Sequence, residues 1–252
     1  MNRIATLHTP PTSGNTLISV IIPTLNEAST IATTLEIVLE RCSVPQLCEI
    51  ILVDGGSSDT TLSIVQSYAS RLKQHGMELD FLTGVRGRAS QMNLGAKHAH
   101  GEILLFLHAD TRLPPAFDLD IRAALAMKPQ GLGAFSLTTD TQTLPLRCIC
   151  WCANLRARLL ALPYGDQTLF MWRNFFMQIK MFPPLEIMED FALVRQVKCN
   201  GGTTHILPAA VVTSARRWHK RGYLFTTLCN QIMILGYYLR IPTTTLARWY
   251  RR

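Results

Sequence analysis

Short aliphatic runs alternate with longer segments of helical periodicity through the first half of the chain, and this alternation limits the fold more than any other feature. The sequence predicts strands at residues 18–22, 49–53, 79–82 and 103–107. It predicts helices at residues 28–41, 60–74, 89–98 and after Pro115. Strands that alternate with helices of this length form mostly parallel sheets. We therefore expect an α/β fold with a mostly parallel sheet and helices on both faces.

Polar clusters directly follow three of these predicted strands. Residues 23–27 read PTLNE, residues 54–59 read DGGSSD, and residues 108–111 read HADT. In open α/β sheets, ligands bind at the carboxyl ends of the strands. Three polar clusters at three strand ends therefore predict one binding site rather than three unrelated loops.

The sequence lacks the motifs of several common nucleotide and hydrolase sites. No GxGxxG follows the first strand, and neither GxxxxGK[ST] nor GxSxG occurs. These absences disfavour dinucleotide oxidoreductases, P-loop NTPases and hydrolases with a nucleophile elbow. Small and acidic residues at the strand ends instead suit a nucleotide whose phosphates are bridged by a divalent metal.

The individual residues of the clusters each have two roles open to them. Asp54 could accept hydrogen bonds from a nucleobase or ribose, or it could hold a turn of its own loop. Asp59 fits the N-cap of the next helix better than a binding role. Asp110 could ligate Mg²⁺ or Mn²⁺ beside substrate phosphates, or fold a turn. His108 could be a second metal ligand or a core histidine.

The positive charge of the chain is concentrated near its C-terminal end. The sequence has 25 Lys and Arg against 17 Asp and Glu, a formal net charge of +8. Residues 191–252 hold ten of the basic side chains and no acidic one. A basic chain could bind nucleic acid, but a local excess without a nucleic-acid motif favours a specific anion. The RRWHKR run at residues 216–221 is expected to meet a phosphate or to form a solvated basic turn.

The N-terminal sequence and the cysteines predict the cellular compartment of the protein. Residues 1–16 lack the apolar run of a secretory signal and are expected to form a flexible arm. The seven cysteines form no CxxC pair, which predicts free, buried thiols in a reducing compartment. We therefore expect a location in the cytoplasm or at the inner face of the plasma membrane.

Residues 224–239 form the longest apolar stretch, and it is too short and too polar to span a bilayer, for which about 20 apolar residues are needed. The pattern predicts an amphipathic helix instead. Its apolar face consists of Leu224, Leu228, Ile232, Leu235 and Leu239. This face either packs on the core or lies on a membrane surface beside the basic residues.

Further motifs complete a resemblance to a known family. Residues 87–93 read GRASQMN, residues 164–167 YGDQ, residues 188–190 MED and residues 214–218 SARRW. With the three strand-end clusters, they resemble family 2 glycosyltransferases of the GT-A fold. The motifs are most similar to the bacterial radical-SAM/selenodomain-associated subgroup, some members of which are named for arsenosugar biosynthesis.

The resemblance runs from about residue 18 to residue 250, and its implications extend to fold and activity. It implies a Rossmann-like nucleotide-binding sheet and a helical segment over about residues 221–250, within one domain over residues 17–252. It also implies inverting transfer of a sugar from a nucleotide-diphosphate sugar to a hydroxyl acceptor, small or lipophilic, with Mg²⁺ or Mn²⁺ as cofactor.

The resemblance further implies roles for individual residues. Those expected to bind the nucleotide are Pro23, Asn26, Glu27, Asp54, Gly55, Arg88 and Asn93. Those expected at the sugar or acceptor are Tyr164, Asp166, Gln167 and Trp218. Asp190, or else Glu189, would be the catalytic base, and Arg216 and Arg217 would bind the diphosphate. Asp110 would hold the metal together with His108, which stands where the family usually has the first Asp of its DxD motif.

One further departure lies at Ile179 and Lys180, where the subgroup commonly has two glycines. This departure affects the loop at the acceptor side.

Two other functions stay open. A nucleotidyltransferase would share the sheet and the metal, although PTLNE replaces its usual Gly-rich loop. A non-catalytic scaffold that binds nucleotide sugars would retain the fold without needing Asp190.

Overall fold

A computed structural model describes residues 15–251 of the chain. The arm predicted over residues 1–16 therefore lies almost entirely outside the described residues. The strands are β1 (Ile18–Thr24), β2 (Cys48–Asp54), β3 (Glu78–Thr83), β4 (Ile103–Phe106), β5 (Thr111–Arg112), β6 (Gly131–Thr139), β7 (Leu169–Trp172) and β8 (Thr203–Thr213). The four strands predicted for the first half are confirmed as β1 to β4.

The helices alternate with these strands in the first half and cluster at the end of the chain. They are α1 (Ile31–Arg41), α2 (Thr61–Gln74), α3 (Arg88–His98), α4 (Phe117–Leu125), α5 (Leu144–Leu160), α6 (Arg173–Gln178), α7 (Glu189–Cys199), α8 (Arg216–Arg221), α9 (Tyr223–Tyr238) and α10 (Thr243–Arg251). Each predicted helix of the first half is present, with α1 beginning three residues later than expected.

The strands form one sheet in the order β3-β2-β1-β4-β7-β6-β8-β5. β1 pairs in parallel with both β2 and β4, and β2 pairs in parallel with β3. β7 runs antiparallel to β4 and to β6, while β8 runs parallel to β6 and antiparallel to β5. The strand order reverses at β1, because β2 and β4 lie on its opposite sides. Such a reversal opens a crevice at the carboxyl ends of the strands.

The central strands are apolar on both faces, as expected for a covered parallel sheet. Val20 and Ile22 of β1 pack into the layer that contains α1, α2 and α4. Ile21, which points to the opposite face, packs into the layer of α3, α6 and α7. The two layers hold β1 and β4 rigidly, so the loops that follow these strands have fixed positions.

The last three helices attach to this body through a small cluster. Met188 and Phe191 of the α7 region pack against Met233 of α9 and Leu246 of α10. The predicted amphipathic helix is thus confirmed as α9, but its predicted apolar face is turned to solvent. The exposed fractions on that face run from 42% at Ile232 to 88% at Leu224. Of the two placements that the sequence left open for this face, packing on the core is therefore wrong.

Two other findings bear on the predictions about location. All seven cysteines are free, as predicted, but Cys148, Cys152 and Cys199 are exposed rather than buried. Within residues 15–251, no helix combines the length and the apolar character that crossing a bilayer requires.

Candidate active site

A cleft of about 1380 Å³ lies at the carboxyl ends of β1 and β4. Its floor comes from the loops after these strands, and its walls from the start of α3, the segments 164–166 and 184–191, and helices α8 to α10. This position is the crevice expected where the strand order reverses. Many of the predicted site residues line it: Pro23, Glu27, Arg88, His108, Asp110, Tyr164, Asp166, Glu189, Asp190, Arg216, Arg217 and Trp218.

The loop after β2 is held by the carboxylate of Asp54, which is 2% exposed. This carboxylate accepts hydrogen bonds from the N–H groups of Gly56 and Ser57, both at 2.8 Å, and from the Ser57 hydroxyl at 2.5 Å. Asn26 connects this loop to the loop after β1, because its side-chain oxygen accepts the Ser58 N–H at 2.8 Å. Asp54, Asn26 and Gly55 shape the floor from behind rather than line the cleft.

Asp59 lies one residue before the N-cap of α2, which is Thr60 and not Asp59 as the sequence predicted. Its carboxylate accepts the N–H of Thr61 at 3.0 Å and the Thr61 hydroxyl at 2.5 Å. It also accepts the N–H of Ala28 at 3.2 Å. Asp59 therefore fixes the helix start and the PTLNE loop together.

Gln91 lies in the cleft, although the sequence analysis predicted no role for it. It lines the cleft and is 4% exposed. Its side-chain N–H₂ donates to the carbonyl of Thr24 at 2.8 Å and to that of Val53 at 2.7 Å. One amide thus joins the ends of β1 and β2. The GRASQMN motif contained the signal, since a buried amide on a helix next to strand ends needs such partners.

Two further predicted residues hold loops together behind the cleft. The side chain of Asn93 donates to the carbonyl of Phe182 at 2.8 Å and accepts its N–H at 3.0 Å. Gln167 is fully buried and donates to the carbonyl of Phe135 at 3.0 Å. Neither of the two amides is among the residues that line the cleft.

Asp190 and Glu189 lie in the cleft at the start of α7. One carboxylate oxygen of Asp190 accepts the N–H of Gly165 at 2.6 Å, and the other accepts the N–H of Phe191 at 2.7 Å. Glu189 is 4% exposed and lies 3.4 Å from the guanidinium of Arg88. Burial raises the pKa of Glu189, and the Arg88 charge partly offsets this effect. Of the two carboxylates, Asp190 is the one held by backbone donors.

Asp166 carries an unpaired carboxylate oxygen in the same cleft. Its Oδ1 is buried and has no hydrogen-bond partner among the described residues. Burial raises the pKa of this carboxyl to about 6, the nearby Arg156 opposes the rise, and Asp190 adds to it. Beside it, the ring of Tyr164 is covered by the Arg156 guanidinium, which lies 3.4 Å from the ring centroid. The orphaned oxygen suits a hydroxyl donor from a ligand.

Asp110 and His108 follow β4 and face the phosphate-binding candidates. Asp110 is 27% exposed, and the guanidinium of Arg216 lies 3.5 Å from its carboxylate. The same guanidinium lies 3.5 Å from the carboxylate of Glu27. Burial, together with the charges of Arg88 and Arg217, lowers the pKa of His108 to about 3. The imidazole is therefore neutral near pH 7.

This pair suits a divalent cation. A neutral imidazole and a carboxylate, completed by phosphate oxygens of a substrate, form a donor set that Mn²⁺ or Mg²⁺ accepts. In residues 15–251, the groups of three metal-ligating side chains lie elsewhere, at Glu49, Asp80 and His100 and at Cys42, Cys48 and Asp118. A cation at Asp110 and His108 would thus take its other ligands from the substrate and water.

The C-terminal helices close the cleft with a polar network that the sequence did not predict. Arg217 donates to the hydroxyl of Tyr250 and lies 4.7 Å above its ring. That hydroxyl donates in turn to Asn230 at 3.1 Å. The indole N–H of Trp218 is buried without a partner in the described part of the chain. α8 is thereby anchored to α9 and α10 beside the cleft.

A known family matches a segment in the first half of the chain. Residues 19–128 match the family described as Glycosyl transferase family 2. This segment runs from β1 to just past α4 and contains all three strand-end clusters. The family 2 part of the predicted resemblance is confirmed for this segment, and the narrower subgroup stays a prediction.

Two curated relatives are similar to parts of this chain. Validoxylamine A glucosyltransferase of Streptomyces hygroscopicus subsp. limoneus is 34% identical over 122 residues, which are 48% of this chain and 25% of that protein. Undecaprenyl-phosphate 4-deoxy-4-formamido-L-arabinose transferase of Proteus mirabilis (strain HI4320) is 32% identical over 99 residues, 39% of this chain and 30% of that protein. The matches therefore cover between a quarter and a third of the length of these relatives.

A solved structure extends the similarity over most of the chain. The mannosyltransferase PcManGT from Pyrobaculum calidifontis, in complex with GDP-Man and Mn²⁺, superposes with a TM-score of 0.66 at 24% identity. The superposition covers 89% of this chain and 62% of that one. The fold is thus the mixed α/β, GT-A type that the sequence analysis expected.

Proposed function

We propose that this chain is a glycosyltransferase that moves a sugar from a nucleotide-diphosphate sugar to an acceptor hydroxyl with inversion at the anomeric carbon. The observation that carries the proposal is the composition of the cleft. It holds a carboxylate oriented by backbone N–H groups, Asp190, and an Asp110–Arg216–Arg217 group suited to phosphates. The family 2 match and the nucleotide-sugar complex of the structural neighbour support the same reaction.

Asp190 would act as the general base. The acceptor hydroxyl would give its proton to a carboxylate oxygen of Asp190 while the acceptor oxygen bonds to the anomeric carbon. The bond from that carbon to the diphosphate breaks on the opposite face, and the nucleoside diphosphate leaves with the electron pair. The N–H groups of Gly165 and Phe191 fix the carboxylate for this step. A positioned base typically contributes a factor of about 10²–10⁴ to the rate.

Arg216 and Arg217 would bind the leaving diphosphate. The guanidinium fork pairs with phosphate oxygens in bidentate fashion. Arg216 already lies against the carboxylates of Asp110 and Glu27, so a diphosphate would compete for a cation that is in place. When bound at Asp110 and His108, Mg²⁺ or Mn²⁺ would neutralise further charge on the leaving group.

The nucleotide would lie against Pro23, Glu27 and Arg88 on the β1 side of the cleft. Asp54, Asn26 and Gly55 would contribute by shaping this floor, and Asn93 by fixing α3. Tyr164, Asp166 and Trp218 would bind the sugar or the acceptor. The buried, unpartnered Asp166 oxygen and Trp218 N–H support this role, because hydroxyl groups can satisfy both.

Two classes of acceptor fit the names of the relatives. One relative is named for validoxylamine A, and the other for undecaprenyl phosphate, a lipid carrier. We accordingly propose a small-molecule or lipophilic hydroxyl acceptor. Membership of the radical-SAM/selenodomain-associated subgroup, and one domain over residues 17–252, belong to the same proposal.

A donor screen followed by product analysis tests the proposal. The protein is incubated with nucleotide sugars and Mn²⁺, and binding is detected as a rise in melting temperature. For each donor that binds, turnover is followed with candidate acceptors by chromatography. Release of nucleoside diphosphate and an inverted anomeric centre is the expected result. Release of pyrophosphate would instead identify a nucleotidyltransferase, and binding of a donor without any turnover would favour a scaffold.

A further inference from the structure

Helix α5 carries an exposed apolar stripe that the sequence analysis did not single out. Its members share one helical face at spacings of three and four residues. They are Leu144, Cys148, Trp151, Cys152, Leu155 and Leu159, all exposed to solvent. Trp151 is 64% exposed and Leu159 is 74% exposed. Large apolar side chains at such exposure are unusual on a helix that otherwise packs on the core.

Helix α9 contacts α5 and carries a second stripe of the same kind. This stripe consists of Leu224, Leu228, Ile232, Leu235 and Leu239. We call the two stripes together the α5–α9 surface. Each of the two helices thus leaves a row of large apolar side chains in solvent, whereas the exposed apolar residues of a soluble monomer are mostly scattered singly. Two such rows on contacting helices indicate an interaction site.

The helices that form and flank the α5–α9 surface carry charges of one sign only. Helices α5, α8, α9 and α10 contain no Asp or Glu. The exposed cations Arg147, Lys220, Arg240 and Arg248 lie on or beside these helices. Two copies of this chain would bring like charges together if they paired through this surface. An anionic partner with an apolar layer beneath its charges matches both properties.

We propose that the α5–α9 surface docks the protein on an anionic lipid bilayer, with the two stripes inserted at the level of the headgroups and the cations paired with lipid phosphates. Apolar insertion and attraction to anionic lipids add in such interfacial binding. The protein is thereby held at the bilayer surface and does not cross it.

Docking of this kind would bring the cleft close to the membrane. The side of α9 away from the stripe lines the cleft with Asn230, Met233 and Ile234. A helix with its side chains is about 10–12 Å across. The cleft wall would thus stand one helix diameter from the lipid surface. This consequence rests on the proposed function, and it favours an acceptor presented by the membrane over a freely diffusing one.

Flotation with vesicles tests the docking proposal without any substrate. The wild type is mixed with vesicles of phosphatidylcholine alone or of phosphatidylcholine with phosphatidylglycerol. We expect binding to the anionic vesicles and at least a tenfold loss of it in Leu228→Glu/Leu235→Glu. The control variant Leu119→Glu/Met127→Glu adds the same charge at side chains that are 48% and 88% exposed outside the α5–α9 surface. It should bind as the wild type does.

A second readout locates α5 in the complex. Brominated lipids should quench the fluorescence of Trp151, and the Trp151→Phe variant should lose most of the quenching. Transfer to a water-soluble acceptor without vesicles should be unchanged in Leu228→Glu/Leu235→Glu, so failure of docking and failure of the proposed reaction can be told apart. Equal binding of all variants, or no binding to anionic vesicles, would overturn the proposal. A dimer that Leu228→Glu/Leu235→Glu dissociates, without vesicle binding, would assign the surface to a second copy and overturn it too.

Discussion

Replacement of Asp166 by asparagine should change how the stability of the protein depends on pH. Burial raises the pKa of this carboxyl from 3.8 to about 6. The folded state therefore holds the proton more tightly than the unfolded chain, and the free energy of unfolding falls as pH rises from about 4 to about 6. A rise of about two pKa units corresponds to at most about 3 kcal/mol. The Asp166→Asn variant carries no such penalty at any pH, because an amide does not ionise.

Urea unfolding of the wild type and of Asp166→Asn at pH 4.5 and 7.5 measures this effect. The stability of the variant relative to the wild type should increase by about 2 kcal/mol between the two pH values. Only the change with pH matters, since a constant offset from the amide cancels. Glu40→Gln removes the same charge from an exposed position and should show no comparable change. If the stability of Asp166→Asn relative to the wild type does not change with pH, the pKa of Asp166 is not raised in the folded protein.

Three other substitutions probe the cleft. Asp110→Ala should weaken Mn²⁺-dependent donor binding at least tenfold, and calorimetry that gives one affinity with and without Mn²⁺ in the wild type would contradict this. Gly165→Ala would place a Cβ 3.1 Å from the Asp190 carboxylate and 3.2 Å from the His108 ring. It should lower kcat at least tenfold, and an unchanged kcat would show that the carboxylate tolerates displacement. Gln91→Met removes two buried hydrogen bonds, those to the carbonyls of Thr24 and Val53, and should cost about 1–3 kcal/mol in urea unfolding. A loss below about 0.5 kcal/mol would show that this amide does not hold the two strand ends together.

The first half of the fold was accessible from sequence because its signals are local. β1 to β4 are short strands, each followed along the chain by a helix with periodic apolar residues, and a polar cluster directly follows three of them. The pairing of β7 with β4 and β6 was not accessible, because β7 lies more than 60 residues from β4 along the chain. Hydrophobic periodicity indicates a strand there at most, and it does not say which neighbour the strand pairs with.

Periodicity also failed to say which face of α9 is buried. The face with the most leucines is exposed, while Thr226, Met233 and Gly236 are buried. Gly236 is buried because a side chain of α10 approaches it, so that an added Cβ would meet Leu246 at 2.6 Å. A periodic pattern identifies an amphipathic helix, but the partner that covers it depends on tertiary packing.

Many residues of the motifs lie together in one cleft, but the motifs did not separate residues that line the cleft from residues behind it. Asp54 was expected to bind the nucleotide, but one of its oxygens accepts the N–H groups of Gly56 and Ser57 and the other accepts the Ser57 hydroxyl. Asn93 is paired with the backbone of Phe182, 89 residues away. Such partners depend on backbone positions that a motif does not encode.

Turnover of the Asp190→Asn variant, measured together with its affinity for the donor, tests the proposed reaction most directly. Asparagine keeps the size of the side chain and removes its capacity to take a proton. If Asp190 is the base, the transfer rate should fall by a factor of about 10²–10⁴ while the affinity for the donor stays unchanged within about twofold. A variant that transfers sugar at the wild-type rate would contradict this role.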